Sequence, residues 1–227
     1  MAIAPQWEAA LQAVQSPPAQ RRPGRPRATG HPTDRYEAKR KAILDAAARL
    51  FTLRGYEATS VRDISREAGI SQATLYHYTG SKPEILAAIH NLMADELLPR
   101  MNGILQSDLS PERKLAEYMR AEMELIERHP TYTAAMRHKR WLLPGAAQEM
   151  REKRDEADRI LDAILQEGID KGVFHPFNVK FARLAIMGMS NYIGTWFSPV
   201  GPSTIPEIAD GFARILLQGL LSASPHR

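Results

Sequence analysis

The sequence contains no cysteine. That removes disulfides, thiolate-bound metals and thiol nucleophiles from its chemistry. It has no apolar run of the roughly 20 residues that a membrane-spanning helix needs, and its beginning lacks the apolar core of a signal peptide. A cytoplasmic protein without a membrane partner is therefore expected. Also missing are a phosphate-cradling glycine loop, a metal-ligand spacing and a Ser-His-Asp set. His129, His138 and His175 fall at expected helix ends or surfaces, with no spacing that suggests a metal. No enzyme activity, cofactor or metal is expected.

What is present is an uneven distribution of charge. Residues 20–85 hold 13 Lys/Arg against 7 Asp/Glu, whereas the chain from Leu86 onward holds 17 against 18. A basic first third on a balanced remainder points to a polyanion partner at one end only. Residues 1–34 are rich in Pro, Ala and Gln and carry no sustained apolar period, so a disordered arm is expected. The arm closes on Arg21-Arg22-Pro23-Gly24-Arg25-Pro26-Arg27. A Gly-Arg-Pro core flanked by arginines resembles an AT-hook. Such a thin extended strand can lie in a narrow minor groove, where Arg25 and Arg27 meet enhanced negative potential.

The stretch around which the chain is organised is TSVRDISREAGISQATLYHYTGSK, residues 59–82. Ser60 as N-cap places Asp63 at the third helical position, a capping-box arrangement with an acid at the positive helix end. Val61, Ile64 and Ala68 give that helix one apolar face, and Gly69 ends it. Ser71 caps a second helix over 72–78. Two short helices across a Gly-containing turn make a helix-turn-helix, whose second helix lies in the DNA major groove. The groups expected to reach phosphates and base edges are Thr59, Ser60, Arg62, Ser71, Gln72, Thr74, Tyr76 and His77. Lys82, at the N-terminus of the next helix, adds a phosphate ligand.

From about Ala42 to Leu86 this segment resembles the DNA-binding domain of the TetR family of one-component repressors. The likeness includes the Leu75-Tyr76 and Ser81-Lys82 pairs and the run Phe51-x-x-x-Gly55-Tyr56. One position departs: Thr79 stands where the family usually carries a bulky aromatic. The resemblance implies an all-α fold, with a three-helix DNA-binding domain over 35–81 and a helical-bundle ligand-binding and dimerisation domain over 82–222. Residues 223–227 are a tail.

The remainder reads as helices. A first helix runs from Asp34 or Arg35 to Arg54, with Lys39-Arg40-Lys41 near the DNA backbone. Ser81-Lys82-Pro83-Glu84 opens the helix linking the two domains, and Ser110-Pro111-Glu112 opens another that ends near His129-Pro130. A short helix is expected over 131–141 and a long one over 146–171, whose charged run 151–159 reads as a solvated face. The segment 179–197 is apolar on nearly every side, so burial all round is expected. Thr204-x-x-Glu207 caps the last helix, with Ile208, Phe212, Ile215, Leu216 and Leu220 on one face. Such a pair at a chain end predicts a homodimer through a four-helix bundle, reading a pseudo-palindromic double-stranded operator.

The segment 188–220 is similar to the C-terminal domain of a narrower TetR branch, the repressors of fatty-acid and cholesterol-ring catabolism released by acyl-CoA thioesters. That likeness implies an apolar tunnel with a cationic mouth. Met123, Tyr132, Met136, Trp141, Met189, Asn191, Tyr192 and Trp196 are the expected lining, beside Met119 and Met187. Arg137 and Arg140, with Lys139 and Arg183, are the expected phosphate ligands. The rival is a TetR-like regulator induced by a cationic hydrophobic drug, for which Glu122 and Glu124 are the candidate acids. In either case ligand tilts the linking helix and shifts the spacing of two recognition helices away from half-sites about 34–36 Å apart.

If the arm contributes, deleting the residues before Asp34 weakens DNA binding and flattens its dependence on salt, because phosphate-neutralising charges are lost. A salt titration of DNA affinity for the full and shortened chains checks this. Equal affinity and slope would exclude a role for the arm.

Overall fold

The computed structural model describes residues 32–135, 146–198 and 200–220; these form nine α-helices and one short 3-10 turn, with no strand among the described residues. The expected all-α architecture is found. Helix α1 (Pro32–Arg54) starts two residues before the expected Asp34, with proline in its first turn where no N–H is missed. Helices α2 (Val61–Glu67) and α3 (Gln72–Thr79) form the helix-turn-helix. The Ser60 hydroxyl accepts from the Asp63 N–H while the Ser60 N–H donates to the Asp63 carboxylate, closing the expected capping box. Gly69 takes φ +67 between the two helices, a conformation that favours glycine.

Helix α4 (Lys82–Leu105) then runs through both halves of the molecule. Its first half supplies Ile85, Leu86, Ile89 and Met93 to a core shared with Ile43, Leu44, Ala47 and Phe51 of α1, Ile64 of α2 and Leu75 of α3. Its second half supplies Leu98 and Met101 to a different core, built with α5 (Pro111–Arg128), α7 (Ala146–Asp170), α8 (Val179–Tyr192) and α9 (Ile205–Leu220). Between α5 and α7 lies the short α6 (Pro130–Ala135), which packs on α1 and sends Tyr132 and Ala135 into the first core.

Thr79, the departure from the family's aromatic, keeps its side chain local by donating to the Leu75 carbonyl. Aromatic packing is instead supplied one position earlier, where Tyr78 meets Tyr36 with ring centroids 4.7 Å apart. The expected long apolar helix over 179–197 stops sooner. After Tyr192 the chain tightens into a 3-10 turn, Ile193–Thr195. Nor is that segment buried all round within one chain. Phe181, Leu184, Tyr192 and Trp196 are exposed, as is Ile215 on α9. Only Ile186, Ser190 and Ile193 of the segment are fully buried.

Two tight features lock the second core. Lys114 is buried to 5% exposure, and its ammonium donates to the Leu105 carbonyl and to Glu167 on α7, at 2.8 and 2.9 Å. Gly168, also on α7, lies under the Phe174 ring so closely that an added Cβ would sit 2.1 Å from it. Gly168→Ala should therefore destabilise the chain by about 2–3 kcal/mol, in the range of an overpacked core. Phe174→Leu added to Gly168→Ala should recover part of that loss in denaturant unfolding. A neutral Gly168→Ala would mean that Phe174 moves aside freely.

Candidate nucleic-acid interface and ligand cavity

The second helix of the helix-turn-helix presents its polar side outward. Gln72, Tyr76 and His77 are exposed, Tyr76 at 53%, while Leu75 points into the core. Ser71 caps the helix by accepting from the Thr74 N–H, and its hydroxyl lies 2.8 Å from that of Thr74. Arg62 of the preceding helix and its N-cap Ser60 are also exposed. These groups form the surface expected to meet DNA. His77 has its edge against Tyr78, at 5.3 Å between centroids.

Two expected contacts take other roles. Thr59 is 1% exposed, and its hydroxyl is directed at the Gly55 and Leu50 carbonyls, so it holds the loop after α1 and faces no ligand. Lys82 donates to the Tyr56 and Thr59 carbonyls, both at 2.9 Å, with its ammonium 4.3 Å from the centre of the Tyr56 ring. Its first task is to tie the start of α4 to that same loop, leaving one N–H for a phosphate. Arg25 and Arg27 lie outside the described residues.

The ligand candidates are rearranged more deeply. A cavity of about 150 Å³ lies where α4, α5, α6, α7 and α8 converge. Met93, Leu97, Leu98 and Met101 of α4, Leu125 and Ile126 of α5, Thr133 of α6 and Met187 of α8 make its apolar wall. Of the expected lining, Met187 and Asn191 are there, Asn191 on the exposed side. Met123 is fully buried in the second core away from the cavity wall, as is Met119. Tyr132 points to the DNA-binding half, its hydroxyl donating to Asp45 of α1 at 2.5 Å. Met189 is off the wall, and Tyr192 and Trp196 face outward at 66% and 46% exposure. Each of these corrections has one cause: helical spacing locates a face, but not which neighbour that face meets. Met136, Arg137, Arg140 and Trp141, with Lys139, lie outside the described residues.

Arg183 is engaged rather than available. It bonds Asp158 at 2.5 Å and Asp162 at 2.8 Å, both on α7. Among the described residues, the cations that reach the cavity are Lys153 and Arg154, from the charged run expected to be a solvated face. Lys153 is paired with Asp95 and Glu149, while Arg154 is half exposed and makes only a 3.4 Å contact to the adjacent Asp155 among its described acids. A signal for this pair did exist. Arg154 and Ala157, with Met150, share a helical side of α7 at i, i+3 and i+4 spacing, but the mixed charge around them hid it.

Glu122 was legible only as a stray acid. Its carboxyl lies on the cavity wall, and burial pushes its pKa up to about 7. The Ser190 hydroxyl pulls it down, and the Asp158 carboxylate raises it further. Glu124, the other candidate acid, is spent on Arg100 and Arg128.

A three-helix DNA-binding unit whose last partner helix runs on into a cavity-bearing helical domain defines a ligand-responsive transcriptional regulator. Residues 43–89 match the family described as bacterial regulatory proteins, tetR family, and residues 108–220 match the tetracyclin repressor-like C-terminal domain. The chain belongs to the TetR family. It is 30% identical over 186 residues to the HTH-type transcriptional repressor KstR2 of Mycolicibacterium smegmatis, covering 81% of this chain and 91% of that one. Among solved structures it is similar to the TetR family regulator PfmR of Thermus thermophilus, with 35% identity and a TM-score of 0.72 over 78% of this chain and 97% of that one. It is also similar to AibR, solved in complex with isovaleryl coenzyme A and operator DNA, with 27% identity and a TM-score of 0.71 over 79% and 98% of the two chains.

The raised pKa of Glu122 has a defined sign. Its neutral form is favoured in the fold, so its contribution is complete below the ordinary value of 4.5 and is lost as pH rises through about 7. A shift of that size corresponds to at most about 3 kcal/mol. Glu122→Gln, which stays uncharged, should match the parent in thermal unfolding near pH 4.5 and exceed it by a margin that grows to pH 8. An equal margin at both ends would show that the carboxyl does not titrate in this range.

Proposed function

We propose that the chain is a homodimeric repressor that leaves its operator on binding an acyl-CoA thioester of lipid or steroid catabolism. The observation that carries this reading is the cavity itself. Its wall is hydrocarbon, its edge carries Lys153 and Arg154, and one whole side is α4, the helix that also holds the DNA-binding core. An apolar interior suits an acyl group, and a guanidinium at the edge suits phosphates. AibR, solved with isovaleryl coenzyme A, supports a thioester, and KstR2 of Mycobacterium tuberculosis, solved as a ketosteroid transcriptional regulator, supports a link to steroids. The exposed Phe181, Leu184, Tyr192 and Ile215 form the surface for a second copy through α8 and α9.

The mechanism follows from size. At about 150 Å³ the cavity is smaller than the roughly 300–1,000 Å³ usual for ligand pockets. A bulky acyl group must push the helices around it apart. Displacing α4 moves the Lys82 attachment and with it the helix-turn-helix. Displacing α6 acts on α1 through the Tyr132–Asp45 and Thr52–Thr131 hydrogen bonds. In the dimer both motions change the separation of the recognition helices, so the DNA-competent state loses population.

The test uses duplexes selected from a random pool by the full chain. Acyl-CoA thioesters should weaken DNA binding by about 5–150-fold, and DNA should weaken thioester binding by the same factor. Free coenzyme A and free acids should have little effect. Unequal factors around the closed cycle would refute the scheme. Release by a cationic dye but by no thioester would replace it with a drug-responsive regulator.

A further inference from the structure

Among the polar side chains on the cavity wall, which include His90, Thr133 and Asn191, two come together from different helices, Glu122 of α5 and Ser190 of α8. Ser190 is 1% exposed. The Ser190 hydroxyl lies near enough to the Glu122 carboxyl to lower its pKa, but the contact is too poor to satisfy either group, and neither Oε2 of Glu122 nor Oγ of Ser190 has a hydrogen-bond partner of good geometry among the described residues. The unpartnered buried atoms on Asn91, Glu112, Arg120 and Asp158 do not line the cavity, and other buried polar groups of the domain are answered. Lys114 has Leu105 and Glu167, and Arg183 has two aspartates. A buried polar atom without a partner is destabilising by about 1–3 kcal/mol. Two such atoms side by side on a cavity wall are explained if a ligand completes them.

We propose that Glu122 and Ser190 form a specificity subsite that holds a hydroxyl or keto oxygen on the hydrophobic portion of the inducer. This deepens the acyl-CoA reading above and, for the thioester itself, rests on it. The chemistry is ordinary hydrogen bonding, with no bond made or broken. A neutral Glu122 carboxyl donates its O–H to the ligand oxygen. Ser190 donates to a ketone, or accepts from a hydroxyl. Burial raises the carboxyl to about 7, so the neutral donor predominates below that pH. A plain alkyl group would leave both groups with nothing better than their poor contact to each other, and so loses affinity relative to a ligand that pairs them. The discrimination is therefore two-sided. A site that hydrogen-bonds a ligand oxygen rejects the analogue lacking it far more strongly than an apolar pocket rejects an extra methylene.

The experiment titrates the full chain at pH 6.5 with octanoyl-CoA and with 8-hydroxyoctanoyl-CoA and 7-oxooctanoyl-CoA, repeated for Glu122→Gln, Glu122→Leu and Ser190→Ala. The expected result is that the parent prefers the oxygenated thioesters by about 30-fold, the order expected when one buried polar group is left unpaired. Ser190→Ala and Glu122→Leu should erase most of that preference, and Glu122→Gln should keep most of it. Equal affinity for plain and oxygenated thioesters in the parent would overturn the proposal, as would a preference that survives Ser190→Ala. Ser190→Ala removes a single oxygen, so it carries the test if Glu122→Leu does not fold. If no thioester binds, the acyl-CoA reading fails, and cyclohexanone against methylcyclohexane tests the subsite by itself through ligand-observed NMR. A preference for cyclohexanone that Ser190→Ala removes sustains the subsite; no preference overturns it. Binding of tetraphenylphosphonium that strengthens above pH 7 and is lost in Glu122→Gln would also overturn it, since Glu122 would then be a counter-ion.

Discussion

Everything in this molecule depends on α4 belonging to two cores at once. Ile85, Leu86, Ile89 and Met93 cannot leave the DNA-binding core, and Leu98 and Met101 cannot leave the regulatory core, without exposing apolar surface. A helix rising 1.5 Å per residue is a stiff connection between them. Lys82 fixes one end of this rod to the loop carbonyls of Tyr56 and Thr59. Near the join of the two cores lies Pro99, which cannot supply the N–H that would bond the Asp95 carbonyl. The rod is thus anchored by packing at both ends and is weakest in its own hydrogen bonding between them. The cavity presses on that section, since Met93, Leu97, Leu98 and Met101 all line it.

The short α6 supplies a second, independent tie. It contributes Tyr132 and Ala135 to the DNA-binding core while Thr133 faces the cavity. Two attachments restrict the relative motion of the halves more than one would. A ligand that moved α4 alone would strain the α6 contacts, so the arrangement favours a concerted displacement. Packed cores shift between discrete arrangements rather than bending continuously, which suits a regulator with two states.

Much of this was legible in the sequence, for a physical reason. Capping boxes, glycine stops and apolar stripes act within one turn of the chain, so Ser60, Asp63, Gly69 and Ser71 located the helix-turn-helix directly. The polar groups of the recognition helix followed, because only one face of a short helix on a small core stays outside. Thr59 failed that test, since a hydroxyl beside a loop can satisfy backbone carbonyls and be buried for it. The cavity was harder. Tyr132 and Met123 lie on apolar faces as expected, yet each helix touches several others, and spacing does not say which. Lys153 and Arg154 were hidden by a run of mixed charges that has the composition of a solvated surface. Trp196 and Tyr192 were read as lining because a helix apolar all round implies enclosure; within one chain that enclosure is incomplete.

The size of the cavity and its unpaired polar groups together constrain what kind of regulator this can be. Work done in separating helices is subtracted from the affinity of whatever enters. A plain hydrocarbon gains only in proportion to the area it buries, about 25 cal/mol per Å², and much of that gain would go into opening the cavity. Such a ligand would bind weakly or not shift the equilibrium at all. On the proposed reading a ligand that also completes Glu122 and Ser190 would gain where a plain chain loses, and phosphates at Arg154 would add attraction. Separating the three contributions gives each a distinct task. On the proposed reading the hydrocarbon would do the prying, the buried oxygen would decide which hydrocarbon succeeds, and the charged end would raise the affinity of the whole.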